Sequence, residues 1–144
     1  MEILHFPNPI LFQKCSEVAV FGEELKIILD SMFDTMKKAK GMGLAANQVG
    51  LSFRMFVMED QAGKPVYLVN PKILRKSVNS ANLKEGCLSA PGDLLLLTER
   101  SSWVEISFQD ETGKQQKRVF KDIWSVCVQH EIGHLDGESF LESK

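Results

Sequence analysis

Apolar residues recur along this chain in two rhythms, and each rhythm predicts an element. In ELKIILDSMFDTMKKAK, residues 24–40, Leu25, Ile28, Leu29, Met32, Phe33 and Met36 stand three or four apart, with a basic end and Gly41 beyond it. That spacing predicts an amphipathic helix whose methionines pack a core rather than face a cofactor. FRMFVMED (53–60) and PVYLVNP (65–71), joined by QAGK, predict the two strands of a hairpin. The polar stretch RKSVNSANLK (75–84) reads as a loop. In WVEISFQDETGKQQKRVF, Val104, Ile106 and Phe108 alternate with polar residues and DETG supplies a turn. The last element is a helix from Asp122, a suitable N-cap, to Gly137, a suitable C-cap. Ile123, Val126, Cys127, His130 and His134 fall on one stripe of it, so the histidines are expected on the side packed against sheet.

Composition narrows the class. At 144 residues, 44% of them hydrophobic, and without repeat or linker, the chain is expected to form a single domain, 1–144, with one real core. A net charge of -2 with no dense Lys/Arg block argues against nucleic acid as a partner. The opening MEILHFPNPILF lacks a basic segment before an apolar one, and no apolar run approaches membrane-spanning length. No membrane partner is expected, and a cytoplasmic location is. Cys15, Cys87 and Cys127 leave one cysteine over from any pairing, which fits a reducing compartment where a thiolate is free for metal.

The chemistry begins at VQHEIGHLDG, residues 128–137. On a helix, His130 and His134 lie about 40° apart on one face, so both imidazoles can reach one ion. The His-Glu-x-x-His pattern is compact, and two core histidines would also produce it. A working metal site needs a third protein ligand and an open position for water. The metzincin pattern is followed as far as Gly137, but Phe140 stands where its third histidine belongs. Glu138 and Glu142 are too near in sequence to return from a further helix, so the third ligand must come from upstream. His5, Cys15, Cys87 and Cys127 are the available groups; Cys87, between a Gly and a Ser-Ala-Pro-Gly turn, sits where backbone can approach an ion.

GMGLAANQVG (41–50) adds a run of small residues with Gln48 as its main polar side chain. The stretches GMGLAANQ, EGCLS and QHEIGH, in this order and at these separations, resemble peptide deformylase, as do the opening ILHFPNPIL and the helix ending in MFDTM. The resemblance implies an α+β fold with antiparallel sheets around a central metal-binding helix and one long N-terminal helix. It implies Cys87, His130 and His134 as ligands of one divalent ion, Fe(II) for preference, with Zn, Ni or Co able to take its place. It further implies Glu131 as general base and acid, and Gln48 with the backbone N–H of Leu88 as donors to the oxyanion. The substrate would be an N-formylmethionyl peptide or nascent chain, releasing formate. Ile123, Val126 and Cys127 would line the methionine pocket, the backbone of Met42 and Gly43 would pair with the peptide as a strand does, and Glu85 would orient its neighbours. A monomer is expected.

Three departures from the family pattern stand out. Gly133 occupies the place of the usual Asp in HExDH, which removes a carboxylate while leaving ligands and base intact. After EGCLSAPG the chain runs DLLLLTER, where Leu94 to Leu97 read as a buried strand, with an apolar rim beside the substrate as the alternative reading, and Arg100 is the available positive group. ESFLESK is too short for the C-terminal helix with which many bacterial members assist ribosome binding, so no stable ribosome contact of that kind is expected, and a phage-encoded or divergent bacterial member would suit. A catalytically silent relative that binds N-termini is the alternative, and a zinc endopeptidase is disfavoured by Phe140.

Overall fold

A computed structural model describes residues 1–78, 80–86 and 95–138, without the side chains of 80–86 and 95–99. Its elements run α1 (Glu23–Lys38), β1 (Gly43–Ala45), β2 (Met55–Glu59), β3 (Pro65–Lys76), β4 (Ser80–Gly86), β5 (Leu95–Ser101), β6 (Trp103–Gln109), β7 (Gln115–Lys121) and α2 (Asp122–Leu135). One antiparallel sheet has the order β1-β2-β3-β6-β7, and β4 pairs with β5 in a second. This is the α+β arrangement expected.

The apolar pattern explains the layering. Val104, Ile106 and Phe108 turn inward from β6 while their neighbours stay partly exposed, the period of a half-buried strand. Strand β2 is different: Phe56 and Met58 join a cluster with Leu68, Ile106, Val128, Ile132 and Leu135, on the side of α2. Met55 and Val57 join Leu25, Leu29, Met32 and Met36 of α1 on the other side. A strand covered on both faces needs an unbroken apolar run, and MFVM supplies it. Helix α2 touches β1, β2, β6 and β7 of the large sheet and both strands of the small one. No described helix is long and apolar enough to cross a membrane.

Both expected hairpins form, on turns at Asp60–Lys64 and Asp110–Lys114. The expected loop over 75–84 does not: β3 continues to Lys76 and β4 starts at Ser80. The polar residues there carry no apolar alternation, and the strand exists because β5, distant in sequence, supplies backbone partners to β4. Leu95 to Leu97 lie in a strand, β5, with their side chains outside what is described, and Leu94 lies outside the described residues altogether. Asp122 is not an N-cap. It is the first helical residue, at φ 56°, after Lys121 in the cap position, and its N–H donates to Ser102 O at 2.9 Å. The left-handed conformation, which Asp tolerates better than most residues, turns the chain from β7 straight into α2, and Lys121 makes no side-chain cap hydrogen bond. Gly137, at φ 79°, follows the cap residue Asp136 and closes the helix: Glu138 N donates to Gly133 O and Gly137 N to His134 O.

Candidate metal centre

Helix α2, which carries the His-Glu-x-x-His residues, is held from several sides. Trp124 Nε1 donates to Glu59 O at the end of β2 (3.2 Å), and Ser125 Oγ donates to Ser101 O at the end of β5 (2.8 Å). Gln129 doubles that second link, Nε2 to Ser101 O at 2.9 Å and Oε1 accepting from Ser101 N at 3.2 Å. At the other end Cys15 N donates to Leu135 O (2.8 Å), and Arg54 pairs with Asp136 (2.7 Å).

Within that clamp His130 and His134 present their Nε2 atoms 3.1 Å apart, with the rings steeply inclined to each other. Ligand atoms of His130, Glu131 and His134 all lie within 4.8 Å of one another. A tetrahedral ion with nitrogens at about 2.0 to 2.1 Å separates two of them by roughly 3.3 Å, so the imidazole pair fits one ion. Burial pushes the His134 pKa down to about 3, reinforced by the charges of His130 and Arg100. The ring is therefore neutral near pH 7, with a lone pair to give a metal.

Glu131, 4% exposed, lies against β1. A Cβ on Gly43 would come within 2.7 Å of Glu131 Oε2 and 2.8 Å of Cys127 Sγ, so only glycine lets this backbone pass so close to α2. Strand β1 is the edge of the five-stranded sheet. Met42 already gives its carbonyl to Glu59 N (3.2 Å), so its C=O is engaged within the sheet. Beyond β1 a 3₁₀ turn, Ala46–Val49, holds Gln48 almost fully buried. Ala45 N donates to Gln48 Oε1 at 2.9 Å, which turns the donor end of the amide, Nε2, the other way.

The remaining expected residues divide. Val126 is buried and Cys127 half-buried beside Gly43, whereas Ile123, in the first turn of α2, is 47% exposed. Cys87, Leu88 and Phe140 lie outside the described residues, as does the side chain of Glu85. Gly86, the last residue of β4 and the neighbour of Cys87, belongs to a strand that packs on α2. Sequence reading passed over Ser125, Gln129 and Asn47, all polar residues that tie α2 in place. Their one signal was an amide or hydroxyl inside an otherwise apolar run.

A family model described as polypeptide deformylase matches residues 1–143. A peptide deformylase of Corynebacterium glutamicum is 40% identical over 144 residues, covering 98% of this chain and 85% of that protein. One of Bartonella tribocorum is 38% identical, covering 97% and 82%. The solved peptide deformylase of Thermotoga maritima superposes with a TM-score of 0.93 at 35% identity, over 97% of this chain and 94% of that one. The Arabidopsis thaliana deformylase 1B does so with 0.94 at 38%, over 100% and 81%.

Proposed function

Because the chain belongs to the polypeptide deformylase family, we propose that His130, His134 and Cys87 hold its metal ion and that Glu131 moves the proton. The reaction is the metal-dependent hydrolysis that removes the N-formyl group from nascent polypeptides. The observation that carries the assignment is the convergence of the two Nε2 atoms, 3.1 Å apart, beside the Glu131 carboxylate.

When bound, the divalent ion supplies an acidified water as nucleophile and a Lewis acid for the formyl oxygen. Glu131 takes the proton from the attacking water and delivers it to the leaving nitrogen as the C–N bond breaks. Gln48 Nε2 and the Leu88 N–H hold the oxyanion that forms when water adds to the formyl carbon. Formate leaves, and the peptide keeps a free N-terminal methionine. The open edge of β1 at Gly43 aligns the peptide, and Val126 and Cys127, with Ile123 at the rim, receive the methionine side chain. Glu85 orients its neighbours. Fe(II) is the metal we favour, with zinc, nickel or cobalt able to replace it, and the enzyme acts as a monomer in a bacterial cytoplasm. The bacterial and plant relatives named above lend no support to a phage origin.

The test is formate release from formyl-Met-Ala-Ser by protein purified without oxygen and loaded with Fe(II) or Ni(II), beside Glu131→Ala prepared in the same way. Release by the parent and its collapse in the variant are expected. A folded, metal-loaded parent that releases nothing would overturn the assignment.

A further inference from the structure

Asn47 has no accessible surface, although burying an amide is costly unless it is used. Its Nδ2 donates to His134 O at 2.6 Å, across 87 residues of chain. That carbonyl lies in the last turn of α2, where carbonyls lack partners within the helix, and Gly137 N reaches it as well. Among the described residues Asn47 Oδ1 has no hydrogen-bond partner, so there the amide's hydrogen bonding is the Nδ2 link to His134 O. That link joins two functional residues through their backbones: the carbonyl is His134's own, and Asn47 is the neighbour of Gln48. The same turn is pinned from outside by Leu4 N, which donates to Gln48 O at 2.7 Å.

We propose that Asn47 is a positioning residue that sets the separation between the Gln48 amide and the metal-holding His134, touching neither substrate nor ion. This rests on the deformylase reading. The oxyanion donor works only at a fixed distance from the reacting carbon, and the Asn47 side chain supplies a direct hydrogen bond between the 3₁₀ turn that carries Gln48 and α2.

Asn47→Leu keeps the volume and removes the link; Asn47→Ala repeats each measurement with a smaller side chain in case leucine misfits. For nickel-loaded parent, Asn47→Leu, Gln48→Ala and the double variant, kcat and KM on formyl-Met-Ala-Ser are measured beside the rate of nickel loss to a chelator. We expect kcat of Asn47→Leu to fall roughly 10- to 100-fold with KM little changed. Nickel should leave about tenfold faster. The double variant should be little worse than Gln48→Ala alone, because the two substitutions remove one effect. Parental kcat with parental nickel retention, or losses that multiply in the double variant, would overturn the proposal and leave Asn47 a helix cap that matters only for melting temperature. If the parent released no formate, the deformylase reading would fall, while nickel loss from Asn47→Leu would still decide the link to His134.

Discussion

Helix α1 buries Leu25, Leu29, Met32 and Met36 along one stripe and surrounds them with charge, acidic in its first turn and basic in its last. Helix α2 buries Ser125, Val126, Val128, Glu131, Ile132, His134 and Leu135, which point in several directions and include three polar side chains. One helix rests on a sheet and the other is enclosed between two. A surface helix is stabilised by the apolar area of a single face. An enclosed helix can hold ionisable groups away from water, because neighbouring strands and turns supply the hydrogen bonds that water would otherwise make. The contrast predicts that substitutions on α1 act on stability and substitutions of the buried ionisable groups on α2 act on activity.

The largest effect expected on α2 is catalytic. Glu131→Ala should lower kcat by about 10² to 10⁴, the usual contribution of a general acid and base. Its melting temperature should not fall, since a buried carboxylate has been removed; thermal scans beside formate assays check both halves. On α1 the signs exchange. Leu29→Ala, at a position with no exposure, should cost about 2 to 5 kcal/mol of stability in urea titrations while kcat per folded molecule holds. A fall in kcat at constant foldedness would erase the distinction.

Smaller changes sharpen it. Ser125→Ala removes a buried hydroxyl that donates to Ser101 O and accepts from Gln129 Nε2. It should cost about 1 kcal/mol and loosen the clamp between α2 and β5, read as faster amide exchange in the first turn of α2. Gly133→Ala should raise stability by about 0.5 to 1 kcal/mol from helix propensity alone. Among the described residues the added Cβ would meet the Glu138 side chain, Oε2 at 3.1 Å and Cβ at 4.0 Å, and the closer of these is a flexible tip that can move. A loss of stability there would mean that Glu138 is held more firmly than an exposed side chain should be.

The smallest effect concerns pH. The hydrogen bond from Tyr67 Oη (2.6 Å) and then that from Lys26 hold the Asp30 carboxyl on α1 below its ordinary range. A depressed folded pKa gives stability that is present above the unfolded value, near 4, and lost as pH falls through the folded one. Asp30→Asn should therefore narrow the gap between urea midpoints at about pH 6 and about pH 3, by less than about 1 kcal/mol because solvent screens the site. An unchanged gap would show that the carboxylate contributes nothing.

The sequence by itself determined much of this protein. The 3.6-residue stripe placed α1, alternation placed β6, and His130 and His134 were legible because a helix repeats every turn and two imidazoles four apart must share a face, while the role expected of Glu131 came from the family resemblance. Tertiary structure decided the rest. Strands β4 and β5 exist through each other, and no local pattern in RKSVNSANLK could announce a partner beyond it in the chain. The left-handed start of α2 at Asp122 follows from where β7 ends and the helix must begin. Gly43 reads in sequence as one of a run of small residues, but it is required because a strand crosses the face of Glu131. Asn47 looks like a loop residue until the fold brings the carbonyl of His134 within reach of its amide. Periodicity is a property of neighbours along the chain, whereas burial, close approach and long-range hydrogen bonds are properties of neighbours in space.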